Sequence, residues 1–258
     1  MFKLLSNLSY RAYYVWLRNL ISYRRYVVVT FVASLGEPLL YLVAMGIGLG
    51  SYMGLINGMP YLNFIAPGLL ISAAMFSAVY ECTFSSMVRM KMEKVFNEQI
   101  VTPVSVEDVI AGEILWGMTR AVMSGMIMFF ALLLFGLISF KVLIPMFLLW
   151  LSVGYLFSAM SMVVTAFAPS FDFFTYYLGL FITPMFFFSG IFFPLDKFPE
   201  VVQTIALFLP LYHAVAISRA FIHGPVSTNI LFNFLALLIP GSIFFVWALY
   251  QMKKRLIK

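Results

Sequence analysis

Residues 142–168 read VLIPMFLLWLSVGYLFSAMSMVVTAFA, a run without a single charged side chain. A helix needs about 20 mostly apolar residues to cross the roughly 30 Å hydrocarbon core of a bilayer, so this run predicts a transmembrane helix. Five further apolar stretches meet the same criterion: 27–50, 61–83, 112–138, 171–193 and 228–250. The sequence therefore predicts an all-α polytopic membrane protein with six transmembrane helices.

The composition excludes the soluble classes. The chain has 258 residues, of which 63% are hydrophobic and 10% are charged, whereas soluble domains are about 45–50% apolar and about 25% charged. The long unbroken apolar runs also differ from the alternating segments of a transmembrane β-barrel. Cys82 is the only cysteine, which excludes an intrachain disulfide.

The distribution of lysine and arginine predicts the orientation. Three segments hold twelve of the sixteen: Lys3, Arg11, Arg18, Arg24 and Arg25 before the first span, Arg89, Lys91 and Lys94 in the loop 84–111, and Lys253, Lys254, Arg255 and Lys258 in the tail 251–258. The opposite loops hold only Lys141, Lys197 and Arg219. Because cytoplasmic loops carry the excess of basic residues, both termini are predicted to be cytoplasmic. The positive charge then contacts anionic lipid, not nucleic acid.

Residues 1–25 predict an amphipathic interface helix that lies in the headgroup plane. Helical spacing separates a basic face from an apolar face: Lys3, Asn7, Arg11, Arg18, Ser22 and Arg25 against Leu5, Leu8, Ala12, Trp16 and Leu20. Arg11, Trp16 and Arg18 are the candidate functional residues of this helix. It serves either as an ordinary membrane anchor or as a docking element for a partner.

The loop 84–111 contains RMKMEKVFNEQIV at 89–101, which is too polar to enter a bilayer and too apolar for a free linker. A short helix here with exposed Val95 and Phe96 would offer a docking surface for another protein, and the alternative is a plain connector packed on its own bundle. Pro103 then breaks the helix. Ser105 and Asp108 form a capping-box pattern, which predicts a new helix starting near Val106.

Residues 194–224 form the second long connection, on the external side. Pro210 divides it into two apolar pieces of about 13 residues each, and pieces of that length are typical of re-entrant or interfacial helices. Such segments survive at membrane depth where they are buried in protein or line a wet cavity. The candidate residues of this region are Pro194, Pro210, His213 and Arg219.

Motifs for chemistry are absent from the sequence. There is no G-x-x-x-x-G-K-[ST] motif, so we expect no ATP site and no catalytic residue in this chain. No metal site is predicted, because His213, His223 and Cys82 lie far apart in sequence and on different predicted elements. Gly46 and Gly50 have the spacing of small residues that allow close helix packing in membranes.

Several residues are candidates for a transport pathway. Glu37 is the one acid deep in a predicted span, and intramembrane carboxylates mark pathways, pairs or proton relays; the alternative is a neutral Glu that hydrogen-bonds backbone groups freed by Pro38. The fifth span is rich in aromatic residues, which serve packing, face lipid or stack on an amphipathic cargo. The pathway candidates in that span are Tyr176, Tyr177, Phe181 and Phe187.

Three further ionisable residues lie at the ends of predicted spans. Glu81 is expected at the headgroup level. Glu113 and Arg120 share one face of the third span, and their separation of two turns leaves direct contact undecided.

Two blocks of sequence resemble a known family. Residues 189–199 (SGIFFPLDKFP), 209–214 (LPLYHA) and Arg219 resemble the C-terminal signature of ABC-2 type export permeases. Residues 93–96 (EKVF) through Thr102-Pro103, with Asp108, Gly112-Glu113 and Trp116, resemble the loop of the branch that contains nodulation-factor and daunorubicin exporter permeases. Residues 37–41 (EPLLY) and 46–50 (GIGLG) fit the same branch, so the resemblance covers nearly the whole chain.

This resemblance implies a single ABC-2 transmembrane domain over residues 1–258 that works with a separate ATPase. The short helix of the loop 84–111 would be a coupling helix that docks on that ATPase through Glu93, Lys94, Val95, Phe96, Asn97 and Gln99. Two permease chains would join two ATPase chains that bind ATP and Mg²⁺. The second permease is expected to be another copy of this chain, and the alternative is a sister chain. The complex would lie in a prokaryotic inner membrane and export an amphipathic cargo such as a lipid-linked saccharide, a polysaccharide or a hydrophobic drug.

Three alternative functions come from other classes of membrane protein. A proton-coupled secondary transporter would use Glu37 as its proton site, although no inverted repeat is evident. A membrane enzyme acting on lipid would need a convergent polar cluster, and none is visible. A structural membrane subunit is the remaining alternative.

Overall fold

The computed structural model describes residues 8–24, 36, 39–56, 58–224 and 229–257. Within these ranges the regular structure is helical, and the only β pairing is an isolated bridge between Ile56 and Met59. The expectation of an all-α chain is thus confirmed for the described residues.

Four of the described helices are long and apolar enough to cross a membrane. They are α3 (Tyr61–Met92), α5 (Val106–Leu134), α6 (Phe140–Phe167) and α10 (Ile230–Leu256). Each coincides with one of the predicted spans 61–83, 112–138, 142–168 and 228–250.

The other predicted spans correspond to shorter elements. The described part of 27–50 contains α2 (Leu39–Ser51), and 171–193 contains α7 (Asp172–Phe188). Next come α8 (Glu200–Phe208) and α9 (Pro210–His223), which meet at 87° and together could form one broken span or a re-entrant loop. By length and composition the described chain therefore has four spans, or five with the bent pair.

The described fold also contains two short α-helices, α1 (Ala12–Tyr23) and α4 (Val95–Ile100), and a 3₁₀ turn at Leu195–Lys197. α1 packs along α5, and Gly112 of α5 makes the close approach possible, because a Cβ there would lie 2.5 Å from Val15 Cβ and 2.7 Å from the Ala12 carbonyl oxygen. α2 similarly packs on the start of α3, where a Cβ on Gly50 would reach the Tyr61 ring at 3.5 Å.

Local sequence signals explain where several helices begin. The Ser105 side chain accepts from the Asp108 backbone N–H while the Asp108 carboxylate accepts from the Ser105 N–H. This capping box confirms the predicted helix start at Val106. Pro210 is the first residue of α9, so the predicted break is confirmed, although the two pieces have 9 and 14 residues instead of about 13 each.

α3 is longer than the sequence predicted. It continues as far as Met92 through two π-helical turns, Glu81–Ser85 and Val88–Met92. The residues 84–92 therefore belong to a helix and not to a loop, and Lys94, with φ 55°, separates that helix from α4. Wide turns of this kind change the direction in which later side chains point and are frequent at functional sites.

The expectation that Val95 and Phe96 are exposed is wrong. Val95 is 6% exposed and Phe96 is fully buried, in an apolar cluster with Val15, Ile110 and Leu249. Burying a Phe side chain stabilises the fold by about 1.5–3 kcal/mol, which explains why these two residues turn inward. α4 is thus packed on its own bundle, as the connector alternative predicted.

Candidate functional site

Four charged side chains of α3 and α5 form a buried network, called here the charge network: Glu81, Arg89, Glu113 and Arg120. Arg89 lies at its centre, with Nη2 2.6 Å from Glu113 Oε2 and Nη1 2.8 Å from Glu81 Oε1. Arg120 Nε lies 3.3 Å from the other oxygen of Glu81, an ion pair without an aligned hydrogen bond. Two acids and two bases therefore neutralise one another in a largely buried site.

Helix α1 supplies two of the neutral partners of this network. Asn19 donates its side-chain amide to Glu113 Oε1 at 2.7 Å, while Ser86 of α3 donates to Oε2 at 2.7 Å. Arg120 donates to the Tyr23 hydroxyl at 2.5 Å, and its guanidinium carbon lies 4.5 Å from the centre of the Tyr23 ring. The charge network thus joins three helices, α1, α3 and α5.

Further polar contacts hold α1 against α5. Ser9 donates its backbone N–H and its hydroxyl to the two Asp108 oxygens at 2.6 and 3.0 Å, so the carboxylate that caps α5 also fixes the chain three residues before α1. Trp16 donates its indole N–H to Thr119 Oγ1 at 2.8 Å, and Arg11 donates to the Pro103 carbonyl. Arg11 and Trp16 therefore both contact the protein itself.

A cavity of about 510 Å³ opens beside the charge network, between α1, α3 and α5. At its rim Arg18 and Glu93 lie 3.9 Å apart, with 37% and 52% of their side chains exposed. Its lining includes Ser22, Tyr23, Ser85, Arg89, Trp116 and Arg120. The walls are mainly polar, so water can reach the edge of the network.

The predicted coupling residues divide into two groups. Glu93, Lys94 and Asn97 are exposed and Gln99 is half-buried, whereas Val95 and Phe96 point inward. Two residues that the sequence reasoning did not single out extend the exposed group: Glu98, and Val101 with 89% exposure. The left-handed backbone of Lys94 costs about 1 kcal/mol for a residue other than glycine. α4 thus presents a mixed polar and apolar surface beside the rim of the cavity.

The four candidates from the predicted external segment 194–224 lie at the other end of α3. His213 Nδ1 is 2.6 Å from Asn233 Oδ1 of α10, and its Nε2 is 2.8 Å from the Leu207 carbonyl oxygen. Arg219 donates to the Gly190 carbonyl at 2.6 Å. Pro194 precedes a short 3₁₀ turn and Pro210 begins α9. These four residues stabilise a corner between α7, α8 and α9.

The pathway candidates do not converge on one surface. Tyr176 and Phe181 are each 66% exposed and Phe187 is 41% exposed, but Tyr177 is buried with its hydroxyl 3.3 Å from Ser161 Oγ. Glu37 lies outside the described residues. Among the residues that the structure does describe, no group of three or more His, Cys, Asp or Glu could hold a metal ion.

The sequence reasoning missed half of the charge network. Glu81 was expected at the headgroup level and Arg89 in a loop, yet Glu81 is 8% exposed and the two residues form ion pairs with Arg120 and Glu113 of α5. Glu113 and Arg120 are two turns apart on α5 and are linked through Arg89 and Glu81 of α3. The sequence signal that could have indicated this network was the presence of these acids and bases next to apolar runs.

Long apolar helices surrounding a buried, balanced charge network define a polytopic membrane protein whose helices are joined by ionic contacts. The family comparison then makes the assignment specific. The model of the ABC-2 type transporter family matches residues 10–223. The chain therefore belongs to the ABC-2 type transporter family, which confirms the resemblance seen in the sequence.

Individual relatives are similar along most of their length. Nodulation protein J of Rhizobium leguminosarum bv. trifolii is 33% identical over 247 residues, 95% of this chain and 93% of that protein. Nodulation protein J of Rhizobium leguminosarum bv. viciae is 31% identical over 244 residues, 95% and 94% of the two chains. Inner membrane transport permease YadH of Escherichia coli (strain K12) is 25% identical over 241 residues, 92% and 93%.

Membership of the ABC-2 type transporter family indicates the kind of subunit, the kind of partner and the membrane of this chain. ABC-2 permeases are membrane transport subunits and not enzymes themselves, and the family implies a partner ATP-binding subunit. Together with the membrane-spanning helices, it points to a bacterial inner membrane.

Proposed function

We propose that this chain is the permease subunit of an ATP-driven exporter that moves an amphipathic cargo out of the cytoplasm. ATP and Mg²⁺ bind a separate ATPase chain. One relative, Inner membrane transport permease YadH, carries a name of this kind, which supports the transport role. The single observation that carries the proposal is the charge network, because it joins α1 to α3 and α5 directly beside the exposed surface of α4.

The ATPase docks on the exposed side of α4. Glu93, Asn97 and Glu98 supply polar contacts there and Val101 an apolar one. Buried Phe96 anchors α4 in the same apolar cluster as Val15 of α1. Since protein interiors are close-packed and transmit strain, a push on α4 moves this cluster and, through it, α1. The inward-facing pair Val95 and Phe96 thus has a mechanical role instead of a contact with the ATPase.

The orientation and span number follow the sequence. Both termini, α1 and α4 face the cytoplasm, and six spans include the predicted first and fifth, 27–50 and 171–193. Two permease copies join two ATPase chains, and the exposed aromatic side chains of α7, Tyr176 and Phe181 among them, face the partner permease or the cargo. A lipid-linked saccharide, a polysaccharide or a hydrophobic drug fits such an amphipathic path.

Co-purification from mild detergent tests the docking surface. The double variant Asn97→Arg/Glu98→Arg introduces two cations on the exposed side of α4 and should release the ATPase while the permease stays folded. The matched control is Glu200→Arg, an exposed acid at the start of α8, which should retain the ATPase.

Transport in proteoliposomes tests the energy source. Cargo export should require both chains and ATP. Uptake driven by a proton gradient without any ATPase, and abolished by Glu37→Gln, would instead establish the secondary-transporter alternative.

A further inference from the structure

Pro67 interrupts the backbone hydrogen bonding inside α3. Because Pro67 has no N–H, the carbonyl of Asn63 lacks its intrahelical donor. His223 of α9 donates its Nε2–H to that carbonyl at 3.1 Å. One turn earlier in α9, Ser218 donates its hydroxyl to the Pro67 carbonyl at 3.1 Å. Side chains of α9 thus hydrogen-bond the backbone of α3 around the proline.

Arg219 makes the central contact of this group. Its Nη2 lies 2.6 Å from the Gly190 carbonyl oxygen and 3.4 Å from those of Ile191 and Phe64. The guanidinium carbon also lies 4.1 Å from the centre of the Phe64 ring. One side chain therefore reaches three elements: its own helix α9, the start of α3 and the turn that follows α7.

No acid explains the presence of this arginine. Among the described residues, no Asp or Glu lies within ion-pair distance of Arg219, in contrast to Arg89 and Arg120. Its Nε is buried without a hydrogen-bond partner. A cation that is desolvated against neutral carbonyls and a ring face is costly, and ionisable residues in membrane segments are a default indication of function.

The turn after α7 is seated directly on α3. Gly190 has φ +73°, the left-handed region that favours glycine, and this conformation directs the carbonyls of 190 and 191 towards Arg219. A Cβ on Gly68 of α3 would lie 2.8 Å from Ile191 Cγ2. With so little space, a small displacement of Arg219 would shift the turn.

We propose that Arg219 is a positioning residue that clamps the turn 189–193 to α3 and α9, so that the end of α7 is held fixed while the α1 end of the bundle moves. A guanidinium suits this task because its planar charged fork lets one nitrogen, Nη2, donate to carbonyls of the turn and of α3 while its face lies on the Phe64 ring. The aromatic side chains of α7, including the exposed Phe187, depend on this anchor for their position. The link to transport rests on the proposed function, whereas the clamp itself does not.

Hydrogen exchange of the full-length permease in nanodiscs tests the clamp. Arg219→Gln removes the charged fork, and Arg219→Lys keeps the charge with a single nitrogen. Losing a charged hydrogen bond should speed exchange in the peptide covering 189–193 by about tenfold in the Gln variant, with an intermediate increase in the Lys variant. Unchanged exchange in that peptide for Arg219→Gln would overturn the proposal.

Arg255 provides a matched control at the opposite end of the molecule. It also donates to backbone carbonyls, those of Thr165 and, at 2.7 Å, Ala168, where α6 ends. Arg255→Gln should speed exchange near 165–168 and leave 189–193 unchanged. Faster exchange at 189–193 in Arg255→Gln as well would mean general loosening and would also overturn the assignment of a local clamp.

Transport measurements separate this proposal from the proposed function. If the clamp matters for export, the amount of cargo moved per ATP hydrolysed should fall in Arg219→Gln and recover in Arg219→Lys. An unchanged ratio in a variant whose turn exchanges faster refutes the link to transport while the exporter assignment stands. Absence of ATP-dependent export by the wild type refutes the exporter assignment, and the exchange result still decides the clamp.

Discussion

The charge network predicts a strong energetic coupling between Arg89 and Glu113. The Glu113 side chain is 1% exposed and that of Arg89 is 13% exposed, and their closest N–O distance is 2.6 Å. Removing one member of a buried ion pair costs about 3–5 kcal/mol because the other charge is left uncompensated. Arg89→Met leaves two acids for Arg120, and Glu113→Met leaves two bases for Glu81.

The double variant Arg89→Met/Glu113→Met should be far less damaging than the sum of the single variants. It removes one acid and one base, so Glu81 and Arg120 stay as a neutral pair at 3.3 Å. Asn19 and Ser86 lose their acceptor, which costs about 1–3 kcal/mol each if they stay dry. We expect a coupling energy of about 2–3 kcal/mol between the two substitutions.

Reversible unfolding in mixed micelles, followed by tryptophan fluorescence, measures the four free energies of unfolding: those of the wild type, the two single variants and the double variant. The matched control is the pair Arg18 and Glu93, which lies 3.9 Å apart with 37% and 52% exposure; after allowance for solvent screening its coupling should stay below about 1 kcal/mol. If the Arg89 and Glu113 substitutions were additive, the network would not be a coupled unit and the reasoning would be refuted.

Three further predictions concern other contacts. Gly112→Val should displace α1, because its Cβ would lie 2.5 Å from Val15 Cβ, and cross-linking between engineered cysteines in α1 and α5 should then fail. Ser105→Ala removes the α5 capping box and should lower the free energy of unfolding by about 1 kcal/mol, with Ser170→Ala, at an exposed serine, as the control. His213→Ala breaks the contacts with Asn233 and the Leu207 carbonyl and should speed amide exchange at the α8–α9 corner; unchanged exchange would contradict its role there.

Local signals in the sequence predicted much of the fold. Four apolar runs became the helices α3, α5, α6 and α10, and the capping box at Ser105 located the start of α5. Pro210 correctly marked the corner between α8 and α9. Each of these features depends on residues close together in the chain, so composition and spacing suffice to find it.

Features that depend on helix phase were predicted poorly. The π-helical turns after Glu81 and Val88 extend α3 beyond the predicted loop boundary and turn Arg89 towards α5. A regular helical period does not anticipate such turns, and a basic residue near a span end is counted as a loop charge. The burial of Phe96 was missed for a different reason, because it depends on where the separate helices α1, α5 and α10 meet.

The sequence by itself determined that this chain is a helical membrane protein of the ABC-2 transporter family. Bilayer thickness imposes a length of apolar residues that can be read directly from the chain. Only the tertiary structure decided which charges pair across α3 and α5, that Val95 and Phe96 face inward, and that Arg219 contacts carbonyls instead of an acid. Partners of buried charges are set by the crossing and rotation of separate helices, because a short-range ion pair or hydrogen bond forms only where packing brings the atoms within reach.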